Sequence, residues 1–224
     1  MTDLLNSALF SIEGYEENFD DNIKVLKDAY ANGVDTCVLT PSCTLHRKGD
    51  TERFLEKRDN YAQKLKGSNL DQVPNHLFGA KVLMDHDLSL HANIDKLCIE
   101  NSKYLLVELP NFDRIPDFDE WIYCLNIKGI IPIIAHVEKN LLWKRLIVEL
   151  SSVKVCYQVG ASTLNNIFKH KIIKKLISER KKFFISSDTH DSASRTINLK
   201  VAHKKAKRYF PKHHSLFFLT DFNF

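Results

Sequence analysis

Residues 130–139, IIPIIAHVEK, carry the pattern that decides the fold: a run of β-favouring apolar side chains with no polar alternation, ending abruptly in an imidazole and a carboxylate. A strand apolar on both faces is one buried on both faces, as in a parallel sheet covered by helices. The same pattern recurs along the chain. Strands are predicted at 34–40 (VDTCVLT), 77–83 (LFGAKVL), 104–109 (YLLVEL), 153–159 (VKVCYQV) and 183–187 (FFISS), with a first one near 3–10. Helical periodicity fills the intervals at 51–66, 117–128, 140–150, 163–182 and 195–209. It is clearest in FDDNIKVLKDAYANG, residues 19–33, where Asp20 or Asp21 caps the start. There Ile23, Leu26, Ala29 and Tyr30 form the inner stripe and Gly33 follows the end. About seven βα units with no linker predict one parallel-stranded α/β domain over residues 1–224. Both a closed barrel and an open doubly wound sheet fit this alternation.

Polar residues fall directly at strand ends: Thr40-Pro41-Ser42, Glu108-Leu109-Pro110, His136-Val137-Glu138 and Ser187-Asp188-Thr189-His190. In a βα barrel those ends converge on one mouth, where active sites are built. Glu108, His136 with Glu138, and Asp188 with His190 supply the oxygen and nitrogen donors that manganese, iron or zinc accept. Other chemistries lack their residues. There is no GxGxxG or Walker A loop, no GxSxG, and no Arg six positions after any cysteine. Hydrolysis on this scaffold would therefore use a metal-activated water.

Charge is lopsided. Residues 1–138 hold 14 Lys and Arg against 23 Asp and Glu, a balance of −9, whereas residues 139–214 hold 18 against 4, a balance of +14. The basic stretches at 169–182 and 200–214 read as solvated helix faces, with Ile172, Ile173, Leu176 and Ile177, or Val201, Ala202 and Ala206, turned inward. An anion-attracting surface is the competing reading. Aromatic residues do not alternate with these charges, so no nucleic-acid partner is expected. No apolar run reaches a membrane span, and the first twenty residues lack a basic region followed by an apolar one. Five cysteines without a CxxC pair agree with a cytoplasmic location.

The series GVDTCVLTPS (33–42), LFGAK (77–81), LLVELP (105–110), GIIPIIAHVEK (129–139), YQVGASTL (157–164) and ISSDTHDSASR (185–195) resembles, over nearly the whole chain, the PHP (polymerase and histidinol phosphatase) superfamily. Within it the chain is most similar to the bacterial manganese-dependent tyrosine phosphatases of capsule and exopolysaccharide loci, the CpsB/YwqE type. The resemblance implies a single distorted (β/α)7 TIM-like barrel of parallel strands holding a trinuclear metal site. It also implies a partner, a tyrosine-phosphorylated polysaccharide-assembly kinase or another phospho-ligand.

Carried over residue by residue, the resemblance implies a depleted site. After Asp3, the family's His-x-His falls on Leu5 and Ser7, its Thr-Pro-His on Thr40-Pro41-Ser42, and its Gly-Ala-Glu on Gly79-Ala80-Lys81, so four ligand positions are lost. Glu13 takes the acidic position of the first loop. Glu108, His136 and the Asp188/His190 pair survive as metal ligands, and Arg195 and Lys139 remain to contact phosphate. An ammonium at position 81 repels divalent cations where a bridging carboxylate is expected. His46, Asp85, His86, Asp87 and His91 are the candidate substitutes. Two functions stay open: a tyrosine-phosphatase-like protein with weak or absent activity that binds a phospho-ligand through Lys81, Lys139 and Arg195, or an active phosphoesterase working through one Mn, Fe or Zn. The cofactor is accordingly one of these metals or none.

Overall fold

A computed structural model describes residues 1–6, 19–68, 70–110, 117–187 and 199–213. The strands are β1 (Thr2–Asn6), β2 (Thr36–Leu39), β3 (Ser42–Cys43), β4 (Asn75–Phe78), β5 (Lys81–Leu83), β6 (Tyr104–Glu108), β7 (Ile131–Ile134), β8 (Cys156–Gly160) and β9 (Phe183–Ser186). The helices are α1 (Phe19–Ala31), α2 (Asp50–Gly67), α3 (Phe118–Ile127), α4 (Trp143–Glu149), α5 (His170–Ser178) and α6 (Leu199–Tyr209).

Every ladder is parallel, in the orders β1-β2-β4 and β3-β5-β6-β7-β8-β9. The two sheets are one circuit interrupted twice. Gly79 N donates to Leu39 O and Lys81 N to Pro41 O, both at 3.0 Å, so the β2/β4 pairing resumes as β3/β5 beyond a break. Pro41 has no N–H to give a ladder. At Gly79 a Cβ would sit 3.3 Å from the Ile99 backbone, so the chain passes there too closely for a side chain. The strand expected at 77–83 is therefore two segments. With β2/β3 and β4/β5 each counted as one broken strand, the described residues hold seven strands in sequence order, the staves of a distorted barrel that its ladders leave open. Its seam lies between β1 and β9, where Asp3 accepts from Ser187 N at 2.9 Å and from the Ser187 hydroxyl.

Both faces of the strands are buried, as the unalternating runs predict. Leu39, Val107, Ile134, Val159 and Ile185 join the core under the helices, while Val38, Leu106, Ile133, Cys156 and Phe184 pack inside the barrel. Burying each such side chain stabilises the fold by about 1.5–3 kcal/mol before entropy is counted. Toward the C-terminal ends of the strands the inward row turns polar, with Ser42, Lys81, Glu108, Gln158 and Ser186.

Some helices depart from the periodicity. In α1, Ile23, Leu26 and Ala29 are buried together with Asn22 and Val25, but Tyr30 is 48% exposed. Asn22 Nδ2 donates to Tyr61 Oη at 2.6 Å, which turns the buried stripe toward positions 22 and 25. The helix expected over 163–182 is broken into two 3-10 turns and the short α5, because Asn166 is extended and its side chain caps Phe168 N at 2.9 Å. Arg180, at φ 51, then turns the chain into β9. In α6 the inward stripe is Leu199, Ala202 and Ala206; Val201, about 100° round the helix from Ala202, is exposed. Ile172, Ile173 and Leu176 are buried in α5, and Ile177 is half-buried. Of the five thiols Cys124 is the partly exposed one, and none is in a disulfide.

Candidate functional site

The barrel mouth is held by a buried polar chain. His136 follows β7 in the left-handed region, at φ 49, and is 5% exposed. Its backbone N–H donates to Gln158 Oε1, and Gln158 Nε2 donates to Ser186 Oγ at 2.7 Å. Glu138 Oε1 accepts from Gly160 N at 3.0 Å and stands 3.9 Å from His136 Nδ1. After this left-handed turn His136 and Glu138 stand side by side at the mouth. Strain of that kind persists only where neighbours over-determine it.

Across the mouth, Lys81 stands opposite Ser42 in the β3/β5 register and its Nζ lies 3.0 Å from Glu108 Oε2. The lysine side chain is 6% exposed and the glutamate 42% exposed, so the ammonium forms the floor and the carboxylate the wetter wall. Both line a cleft of about 670 Å³ with Ser42, Arg47, Arg53 and Lys57. Asp50 Oδ2 accepts from the backbone N–H of Arg47 at 2.7 Å and of His46 at 3.0 Å. The Arg47 bond first, with Arg53 and Arg47 as nearby positive charges, holds the Asp50 carboxyl below its usual range. Cations therefore outnumber carboxylates in the cleft.

This arrangement fits a divalent cation poorly at Glu108. An ion about 4 Å from the Lys81 ammonium would meet a repulsion of about 8 kcal/mol at an effective dielectric of about 20. The same cleft suits an anion, which the ammonium and guanidinium groups meet with hydrogen-bond donors.

The expected site residues divide accordingly. Lys81, Glu108 and Ser42 meet; His136 is buried at the mouth beside Glu138; Lys139 is exposed. Leu5 lies in β1, but its side chain, and all of Ser7, Glu13, Asp188, His190 and Arg195, lie outside the described residues. Arg47, Arg53, Lys57 and Gln158 were not singled out from the sequence. A basic pair four residues apart in TERFLEK, Arg53 and Lys57, marks one helix face and was the legible signal. Of the candidate substitutes, His46, Asp85, His86 and His91 lie together by the cleft. No described helix is long and apolar enough to cross a membrane.

Comparison with known proteins agrees with this architecture. The chain is 29% identical over 222 residues to CapC of Staphylococcus aureus, covering 94% of this chain and 86% of CapC. In structure it is similar to the metal-dependent tyrosine phosphatases described as YwqE from Bacillus subtilis and CpsB from Streptococcus pneumoniae, with a TM-score of 0.74 at 22% identity over 96% of this chain and 89% of the other. Histidinol phosphate phosphatase from Lactococcus lactis, solved with zinc, L-histidinol and phosphate, shares the fold at a TM-score of 0.51 and 13% identity, over 86% of this chain and 88% of that one. The model of the capsular polysaccharide synthesis family CpsB/CapC matches residues 3–220, and the chain, with its PHP-type barrel, belongs to that family.

Proposed function

We propose that this chain is a PHP-fold, tyrosine-phosphatase-like protein of capsule or exopolysaccharide biosynthesis that binds a phosphorylated ligand and hydrolyses it weakly or not at all. The observation that carries this reading is the buried Lys81 ammonium 3.0 Å from Glu108. It neutralises the carboxylate a metal would need and leaves a donor aimed at an anion. Arg47, Arg53 and Lys57 on the cleft wall extend that positive lining, and Lys139 and Arg195 are assigned to it from the sequence. The ligand class is phosphotyrosine, by similarity to relatives named as tyrosine phosphatases, and the natural partner is a tyrosine-phosphorylated polysaccharide-assembly kinase. One domain over residues 1–224, acting in the cytoplasm, suffices for this.

The test is binding of a fluorescent phosphotyrosine peptide in EDTA, followed by anisotropy, beside a turnover assay titrated with Mn²⁺. Native protein should bind the peptide, and Lys81→Glu should weaken binding at least tenfold, about 1.4 kcal/mol or more. Unchanged affinity in that variant removes the assignment of Lys81. Mn²⁺-dependent turnover abolished by His136→Ala would instead show that Glu108, His136, Asp188 and His190 form a reduced catalytic centre.

A further inference from the structure

Just outside the barrel mouth, three loops bring together nitrogen and oxygen donors that the proposed function leaves unused. His46 lies in the segment after β3, Asp85 and His86 directly follow β5, and His91 follows the 3-10 turn Leu88–Leu90. His86 is the hub. Its Nδ1 is 2.6 Å from Asp85 Oδ1 and its Nε2 is 2.7 Å from His91 Nε2, while His46 Nδ1 is 3.8 Å from the other Asp85 oxygen. One donor atom from each of His46, Asp85 and His86 lies within 4.8 Å of the other two. We propose that His46, Asp85 and His86 form a binding site for a divalent transition-metal ion of the zinc class, with His91 positioning His86.

Three features support this over a chain of surface hydrogen bonds. The donor set, two imidazoles and a carboxylate, is one that zinc and its neighbours accept, with a fourth position left for water or a ligand oxygen. Tetrahedral ligand atoms at Zn–N and Zn–O distances of about 2.0–2.2 Å stand about 3.4 Å apart. The 3.8 Å gap between His46 and Asp85 closes to that, and the 2.6 Å hydrogen bond between His86 and Asp85 opens to it, by side-chain rotations that these partly exposed groups can make.

The second feature is tautomer control. At 2.6 Å from the acceptor-only Asp85 carboxylate, Nδ1 of His86 carries the ring proton and Nε2 accepts from His91. An ion taking Nδ1 would move that proton to Nε2, which would then donate to His91, the outer hydrogen bond that metal-ligating histidines use to fix their orientation. The third is backbone support. Asp50 holds the His46 amide at 3.0 Å, and Asp87 Oδ1 accepts from Ser89 N at 2.9 Å, which sets the turn leading to His91. The loops carrying His46 and His91 are thus braced, and Met84 N, donating to Glu108 O at 2.9 Å, pins the chain just before Asp85. The site is separate from Lys81 and Glu108 and stands whether or not the phospho-ligand reading does. Yet His46 also lines their cleft, so the ion would sit on its wall.

Protein stripped with EDTA and dialysed is titrated with Co²⁺, followed by its visible d–d absorption, and with Zn²⁺ in competition with a chromogenic chelator. One equivalent per chain is expected, with the intense cobalt spectrum of low coordination number. His86→Ala should weaken binding at least a hundredfold and Asp85→Asn at least tenfold. His91→Gln should weaken it about 10- to 100-fold, as loss of an outer partner does, without changing the stoichiometry. Far-ultraviolet circular dichroism confirms folding, and His46→Ala decides if His86→Ala fails to fold. Absence of binding at millimolar Co²⁺ overturns the proposal. So does a spectrum that survives His86→Ala and His46→Ala, or one lost in His136→Ala, which would place the ion at the strand ends.

Discussion

Replacing Lys81 by Glu sets a second carboxylate against Glu108 at the floor of the cleft. At the 3.0 Å that separates Lys81 Nζ from Glu108 Oε2, two unit negative charges repel by about 5.5 kcal/mol at an effective dielectric of about 20. The protein has a less costly escape, which is to protonate one of the two. Holding a glutamic acid of ordinary pKa about 4.3 neutral at pH 7 takes about 3.7 kcal/mol, at 1.36 kcal/mol per unit, and this sets the ceiling. The lost ion pair adds little, because removing it also removes the desolvation of a buried ammonium. Lys81→Glu should therefore destabilise the fold by about 3–4 kcal/mol at pH 7, or about 6–15 °C in Tm for a chain of this size.

The sign of the pH dependence follows from the raised folded-state pKa. The shared proton is bound in the folded state and released in the unfolded one, so the penalty grows with pH above about 4.3 and shrinks below. At pH 5 the ceiling is only about 1 kcal/mol. Urea unfolding of native and variant protein at pH 7 and pH 5, monitored by Trp121 and Trp143 fluorescence, measures both differences. Millimolar Mn²⁺ should recover most of the loss at pH 7, since a divalent ion between two carboxylates replaces the proton. A penalty of equal size at the two pH values would refute the reasoning, because it would mean that the two carboxylates do not face one another.

Three further outcomes follow from other parts of the fold. Asp3→Ala removes an acceptor that is fully buried and bonded twice by Ser187; it should cost about 3 kcal/mol, read as a lower urea midpoint at unchanged m-value. His76 is held below its usual pKa, by burial first and by Lys66 after it. The unfolded chain therefore takes up the proton first, and stability should fall as pH drops below about 6.5, less steeply in His76→Gln. Among the thiols, burial pushes Cys98 up to about 12 and Cys156 up to about 11. Native protein should therefore show one fast-reacting thiol toward a disulfide reagent, lost in Cys124→Ser, and the buried ones only after denaturation.

The strands were legible because burial on both faces writes itself as unbroken apolar runs, and 104–109, 130–135 and 183–187 each lie within two residues of the strand found. The polar residues at their ends were legible for the same reason, since the run stops where the barrel opens. What the sequence concealed depends on neighbours far along the chain. The break at Gly79 is set by Ile99 and the outward turn of Tyr30 by the bond between Asn22 and Tyr61; the interruption at Asn166, by contrast, is local, its own cap on Phe168. The 3.0 Å contact of Lys81 with Glu108, across a 27-residue separation, is set by the β5/β6 register. His46 and Asp85 are likewise neighbours only because β3 and β5 run side by side.

The seam between β1 and β9 has a kinetic consequence. Every ladder among the described residues joins staves that follow one another along the chain, so the wall can grow stave by stave, each step closing a separation of 23–39 residues. Asp3 and Ser187, by contrast, are 184 residues apart. Closing a loop of that length in a disordered chain costs about 5 kcal/mol in entropy, which two hydrogen bonds cannot offset at the start. The last stave must therefore be set against an already curved wall. Asp3 acts as a clasp, formed late in folding, that governs how fast the finished barrel opens rather than how fast it forms.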